Sequence, residues 1–171
     1  MKGFVHVYTG NGKGKTSAAM GLVLRAAGAG LSVFVAQFAK KGDSSEILGL
    51  KRFADRVTVE AYGTDQFLKR PPDAAEVAAA REGLSRLRRV LAAAEHDLVV
   101  IDEGCVAVDF GLFSVEALLE VIDCKPPETE LVVTGRGASP DLIARADLVT
   151  EMKAIKHYFQ QGVAARPGIE H

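Results

Sequence analysis

Residues 10–17 read Gly-Asn-Gly-Lys-Gly-Lys-Thr-Ser, between an apolar run and a segment of helical period. No other feature constrains the fold as much. Glycines here let successive backbone N–H groups converge on one anion without Cβ clashes. The first turn of the following helix adds partial positive charge. Lys15 supplies a mobile full charge, and the Thr16 hydroxyl is of a type that ligates Mg²⁺. A strand, glycine loop and helix in this order is the context of a phosphate-binding loop. The general pattern places a glycine five positions before Gly14, where this chain has Thr9. Either Thr9 replaces it, or Gly10 takes its role in a loop shortened by one.

The rest of the chain alternates short apolar runs with helical segments. Strands are expected at 3–8, 32–38, 57–62, 98–102, 130–134 and 147–152. Helices are expected at 15–28, 44–54, 73–96, 114–123 and 140–146. The segment 73–96 is the clearest helix. Asp73 and Glu76 have capping-box spacing, and Val77, Ala80, Leu84, Leu87, Leu91 and Ala94 form one apolar stripe. Arg81, Arg86, Arg88 and Arg89 fall off that stripe and read as a solvated face. Residues 98–102 (LVVID) have almost no polar alternation, as a central parallel strand requires. The βα alternation predicts a doubly wound α/β domain, with a mostly parallel sheet of about six strands, of the P-loop NTPase (RecA-like) type. At 171 residues, one domain over 1–171 is expected, with an irregular tail at about 160–171 folded back over the site.

Charge is nearly balanced, at a net −1, so a global footprint for nucleic acid is missing. No apolar run approaches the roughly 18 residues of a membrane span. Cys105 and Cys124 lack CxxC spacing, and no secretion signal is visible, which reads as a reducing cytoplasm. His6, His96, His157 and His171 show no zinc spacing.

Three further signals fall at the carboxyl ends of strands, where open α/β sheets bind ligands. Asp102-Glu103 closes LVVID in the manner of a Walker B motif. Asp102 would hold the metal's water shell, and Glu103 would orient water or reach the metal. Thr134-Gly135-Arg136-Gly137 follows the fifth strand. Spacing alone leaves Arg136 open between a bidentate phosphate clamp and a surface arginine. Gln37-Phe38 and Lys40-Lys41 end the second strand. Cys105, close behind Glu103, reads as a small buried thiol rather than a nucleophile.

Taken together, GNGKGKTSAAMGLVLRAAGAG, VAQF, LVVIDEG, ELVVTGRGA and ADLVTEMKAIKHYFQQGVAARPGIE resemble the P-loop ATP:corrinoid (cob(I)alamin) adenosyltransferases. The resemblance runs from about residue 3 to the end, without the N-terminal extension that some members carry. It implies transfer of the 5′-deoxyadenosyl group of ATP to Co(I) of a reduced corrinoid, with release of triphosphate, in adenosylcobalamin biosynthesis or salvage. It implies Mg²⁺ (or Mn²⁺) at Thr16, Asp102 and Glu103. ATP contacts fall on Gly10, Asn11, Gly12, Lys13, Gly14, Lys15, Thr16, Ser17, Arg25 and Arg136, with the γ-phosphate deep in the loop. Lys15, Thr16, Glu103 and Arg136 carry the catalytic roles. Family members remove the lower cobalt ligand with aromatic side chains. The matching segment here is Tyr62-Gly63-Thr64-Asp65-Gln66-Phe67-Leu68, so Tyr62 and Phe67 are the corrinoid candidates. A reduced flavoprotein donor and a homodimer are further family expectations.

The chain departs from the family where many members carry Asn or Thr and then Tyr after the acidic pair. Here Gly104, Cys105 and later Phe110 stand, and tryptophan is missing altogether. Two other readings stay open from the residues. One is a small P-loop ATPase or kinase, with ADP as product. The other is a non-catalytic nucleotide- or corrinoid-binding regulator.

Overall fold

The computed structural model describes residues 2–63 and 71–170. Six strands form one sheet in the order β3-β2-β4-β5-β1-β6. They are β1 (Val5–Thr9), β2 (Val33–Phe38), β3 (Val57–Tyr62), β4 (Leu98–Asp102), β5 (Glu130–Thr134) and β6 (Leu148–Glu151). Every neighbouring pair is parallel, so the sheet is wholly rather than mostly parallel. The helices are α1 (Lys15–Gly28), α2 (Ser45–Leu50), α3 (Ala74–Ala93), α4 (Gly104–Asp109), α5 (Val115–Asp123) and α6 (Pro140–Arg145).

Two cores sandwich the sheet. Ala19, Met20 and Val23 of α1 and Ile47 and Leu50 of α2 pack on Val33, Val35, Leu98, Val100 and Val132. On the other face, Leu84, Leu87 and Leu91 of α3, Leu118 of α5 and Leu142 of α6 pack on Phe34, Phe38, Val99, Ile101 and Val133. Alternate residues of β2 therefore serve opposite cores, as the strand period of two dictates. Every residue of β2 and β4 is buried, because helices cover both faces.

The capping box of α3 is present: Asp73 accepts from the Glu76 amide, and Glu76 accepts from the Asp73 amide. The helix stops earlier than the apolar spacing suggests. Ala94 is exposed and turns left-handed at φ 53°, so the stripe ends at Leu91. Gly83 joins the buried face because the Phe38 and Tyr62 rings lie against it; a Cβ there would meet each at 2.7 Å. Arg81, Arg88 and Arg89 are exposed, and Arg86 pairs with Glu60 at 3.0 Å.

The short helix α4 was not expected. It follows a left-handed Glu103 at φ 58° and begins with a glycine, a poor helix former. The tail is less irregular than its composition suggests. A 3₁₀ turn spans Tyr158–Gln161, and the Tyr158 hydroxyl donates to Glu170. The Arg166 guanidinium also donates to Glu170 and lies 5.1 Å over the Tyr158 ring. Among the described residues, no helix is long and apolar enough to cross a membrane.

The strand order has a direct consequence for function. The carboxyl ends of β2, β4, β5 and β1 stand side by side, so all four sequence signals open on one edge. The scaffold that holds them depends on the α3 contact. Leu87 is fully buried, and Leu87→Ala is expected to cost about 2–5 kcal/mol, read as a lower urea midpoint with unchanged slope.

Candidate active site

Gly10, not Thr9, makes the turn that opens the loop. Thr9 is the last residue of β1, and its hydroxyl accepts from the Ala138 amide at 3.2 Å. Gly10 and Gly14 hold φ 98° and 116°, values that only glycine adopts without strain. The glycines also meet a second demand. A Cβ on Gly10 or Gly12 would lie 2.4 or 2.7 Å from the Met152 carbonyl oxygen. The Gly12 amide donates to that carbonyl at 2.7 Å, and the Met152 amide donates to the Thr9 carbonyl at 2.8 Å. Asn11 Oδ1 accepts from the Ala154 amide at 3.1 Å. Residues 152–154 thus form one wall of the loop.

Lys15 is buried and donates to the Gly10 and Gly12 carbonyls at 2.8 and 2.7 Å. Burial lowers its proton affinity, and the Arg136 charge lowers it further. Lys13 reaches the tail, donating to the Ile169 carbonyl with Glu170 at 3.8 Å. Ser17 and Asn11 are exposed beside the loop.

Asp102 is fully buried at the end of β4. Its Oδ1 accepts from Thr16 Oγ1 at 2.9 Å and Thr134 Oγ1 at 2.7 Å. Its Oδ2 accepts from Gln37 Nε2 at 2.9 Å and Lys40 Nζ at 3.2 Å. The Thr134 hydroxyl in turn accepts from the Glu103 amide at 2.9 Å. Lys40 Nζ also stands 3.2 Å from Thr16 Oγ1 and 3.2 Å from Glu103 Oε1. Burial alone would pull the Lys40 ammonium down, but the Asp102 and Glu103 carboxylates more than offset it and hold it above its ordinary value.

Thr16, Asp102 and Glu103 offer only oxygen, the donor type of a hard cation such as Mg²⁺. A cationic nitrogen seated at equal distance from one oxygen of each shows that the spot favours positive charge. Among the described residues, no group of three or more His, Cys, Asp or Glu could hold a metal. Three oxygens are fewer than the octahedral set that Mg²⁺ takes, so phosphate and water oxygens would complete the shell.

Arg136 is exposed on the turn after β5. That turn is fixed by Gly135, at φ 138°, whose added Cβ would lie 2.8 Å from Cys105 Cβ. An open cleft of about 810 Å³ lies between Gly10, Asn11, Arg136, Ile143, Glu151 and Lys153. Cys105 is buried, and burial pushes its thiol up to about 12, which suits packing rather than nucleophilic chemistry. Tyr62 stacks on Phe38 with ring centroids 5.6 Å apart, and its hydroxyl donates to Glu60. Phe67 lies outside the described residues. The structure does not bring Arg25 to the loop of its own chain. It is exposed in the last turn of α1, about 15 Å along the helix from Lys15 at the usual rise.

Two groups at the site carried no role in the sequence reading. Met152 sits in the closing LVTEMK run, but nothing in its type announces a backbone pairing with a loop 140 residues earlier. Lys40 was read only as part of the β2 end at the ligand-binding edge, with no contact assigned to it.

The model of the family described as ATP:corrinoid adenosyltransferase BtuR/CobO/CobP matches residues 1–171. The chain belongs to this family. A corrinoid adenosyltransferase of Pseudomonas aeruginosa is 37% identical over 170 residues, covering 99% of this chain and 84% of that protein. One from Escherichia coli is 36% identical over 172 residues, covering 99% and 86%. The corrinoid adenosyltransferase CobA of Salmonella typhimurium is 32% identical over 173 residues, with the same coverage. In this corrinoid adenosyltransferase family member, Gly10 combines a left-handed φ with a backbone contact that cannot yield. Gly10→Ala is expected to cost about 1–3 kcal/mol and to weaken ATP binding, measured by thermal unfolding and calorimetric titration.

Proposed function

We propose that this chain transfers the 5′-deoxyadenosyl group of ATP to the cobalt of a reduced corrinoid. The Co(I) electron pair attacks C5′ and forms the cobalt–carbon bond. The C5′–O bond breaks, and triphosphate leaves with the electron pair of that bond. The step consumes no water and needs no proton base. The enzyme's task is to hold the leaving group, orient C5′ and spread the charge that grows on triphosphate.

One observation carries the reading: in a chain of this family, the Lys15 loop, Asp102-Glu103 and the Arg136 turn adjoin along one sheet edge. Lys15 exchanges the Gly10 and Gly12 carbonyls for phosphate oxygens, whose negative charge restores the proton affinity that burial removes. Backbone amides of the loop and the α1 N-terminus bind the innermost phosphate. Arg136, on its exposed turn, clamps phosphate oxygens from the opposite side. Thr16, Asp102 and Glu103 hold Mg²⁺ (or Mn²⁺), which when bound neutralises charge on the triphosphate. Asn11, Gly12, Lys13 and Ser17 line the loop.

Arg25, far from its own loop, is assigned to ATP by resemblance alone. Tyr62, at the β3 end of the same edge, and Phe67 are the corrinoid-side aromatics that displace the lower cobalt ligand. A homodimer working in the cytoplasm with a reduced flavoprotein as electron donor completes the proposal.

Lys15→Ala tests the phosphate assignment. Anaerobic mixing with Mg-ATP and chemically reduced cob(I)alamin should give adenosylcobalamin, followed by its visible spectrum. Removing this preorganised cation should slow the reaction about 10²–10³-fold with an unchanged circular dichroism spectrum. Retention of most activity would count against the triphosphate role of the loop.

A further inference from the structure

We infer that the Lys40 ammonium is a tethered stand-in for the divalent cation, filling its place in the nucleotide-free chain and leaving as the metal arrives. Lys40 Nζ lies 3.2 Å from Thr16 Oγ1, 3.2 Å from Asp102 Oδ2 and 3.2 Å from Glu103 Oε1. These are the three residues assigned above to the metal, so the inference rests on that assignment. They come from α1, the end of β4 and the residue after it. The nitrogen is placed where α1 meets the end of β4, against oxygens of both rather than of one.

The root of the side chain is fixed. Ala39 turns left-handed at φ 55°, and Gly63 presses on the backbone of the next residue; a Cβ there would lie 2.3 Å from the Lys40 amide nitrogen. The four-carbon stem beyond that root is flexible, and the side chain is 30% exposed. It therefore has a way out.

Charge makes the two occupants exclusive. Mg²⁺ bonds oxygen at about 2.0–2.1 Å, so an ion on Thr16 and Glu103 would stand within about 4 Å of the resting Nζ. Like charges that close, beside a buried carboxylate, repel strongly. The same physics explains why the place is filled. Asp102 and Glu103 hold adjacent carboxylates that would repel each other with no cation between them. Lys40 keeps the site assembled before ATP binds and raises the threshold for a free divalent ion. Metal and nucleotide then enter together, and the displaced ammonium is released beside the triphosphate.

The test is Mn²⁺ binding to the full chain, read from the free-ion electron paramagnetic resonance signal. Without ATP, the parent should bind Mn²⁺ weakly. Lys40→Met should bind one Mn²⁺ at least about tenfold more tightly, and adding Glu103→Gln should remove the gain. Lys40→Arg, which keeps the charge, and Lys41→Met, at an exposed neighbour, should match the parent. Lys40→Gln serves as the neutral variant if the methionine protein does not fold. Equal Mn²⁺ affinity in the neutral variant and the parent would overturn the inference. If ATP binding by the parent depends on Mn²⁺ in that case, only the role of Lys40 fails. If ATP binds equally well with and without Mn²⁺, the metal assignment fails with it.

Discussion

The Asp102 carboxylate organises the molecule. It is fully buried and accepts hydrogen bonds from Thr16, Thr134, Gln37 and Lys40. Each donor belongs to a different piece of the chain: α1, β5, β2 and the turn after β2. A buried charge without partners is strongly penalised, and each bond to a charged group contributes about 1.5–3 kcal/mol. One side chain therefore ties the start of α1, just after the glycine loop, to the ends of β2, β4 and β5. The parallel sheet makes this feasible, since β2 and β4 pair with Gln37 opposite Asp102.

The loop's glycines answer to two constraints at once. They leave room for the Met152 backbone, which extends the edge of the sheet past β6, and in the proposed function they also leave room for an anion. The tail then hooks back through the Tyr158, Arg166 and Glu170 cluster and engages Lys13. Residues 152–170 thus frame the glycine loop, although they contribute almost nothing to the hydrophobic core.

Much of this was legible in the sequence. Strong periodicity located α1 and α3, and the continuous apolar run of LVVID marked a strand covered on both faces. The places of the Gly-Lys-Thr junction and the Asp-Glu pair at strand ends were readable because both motifs are local in sequence. What escaped was non-local or weakly patterned. The helix α4 starts on a glycine after a left-handed residue, a start that propensity disfavours. The end of α3 depends on a left-handed Ala94 with no glycine to announce it. Lys40 reaches Thr16 and Asp102 across 24 and 62 positions, and no spacing rule records such a contact. The distance between Arg25 and its own loop follows from helix rise, which a motif match ignores.

A phosphate loop by itself serves phosphoryl transfer as well as adenosyl transfer; the two differ in which bond of ATP breaks. The decisive measurement is the phosphate product, identified by phosphorus resonance after anaerobic incubation with Mg-ATP and cob(I)alamin. Intact triphosphate, formed in proportion to the new cobalt–carbon bond, is the expected result. ADP and phosphate with an unchanged corrinoid spectrum would contradict the account.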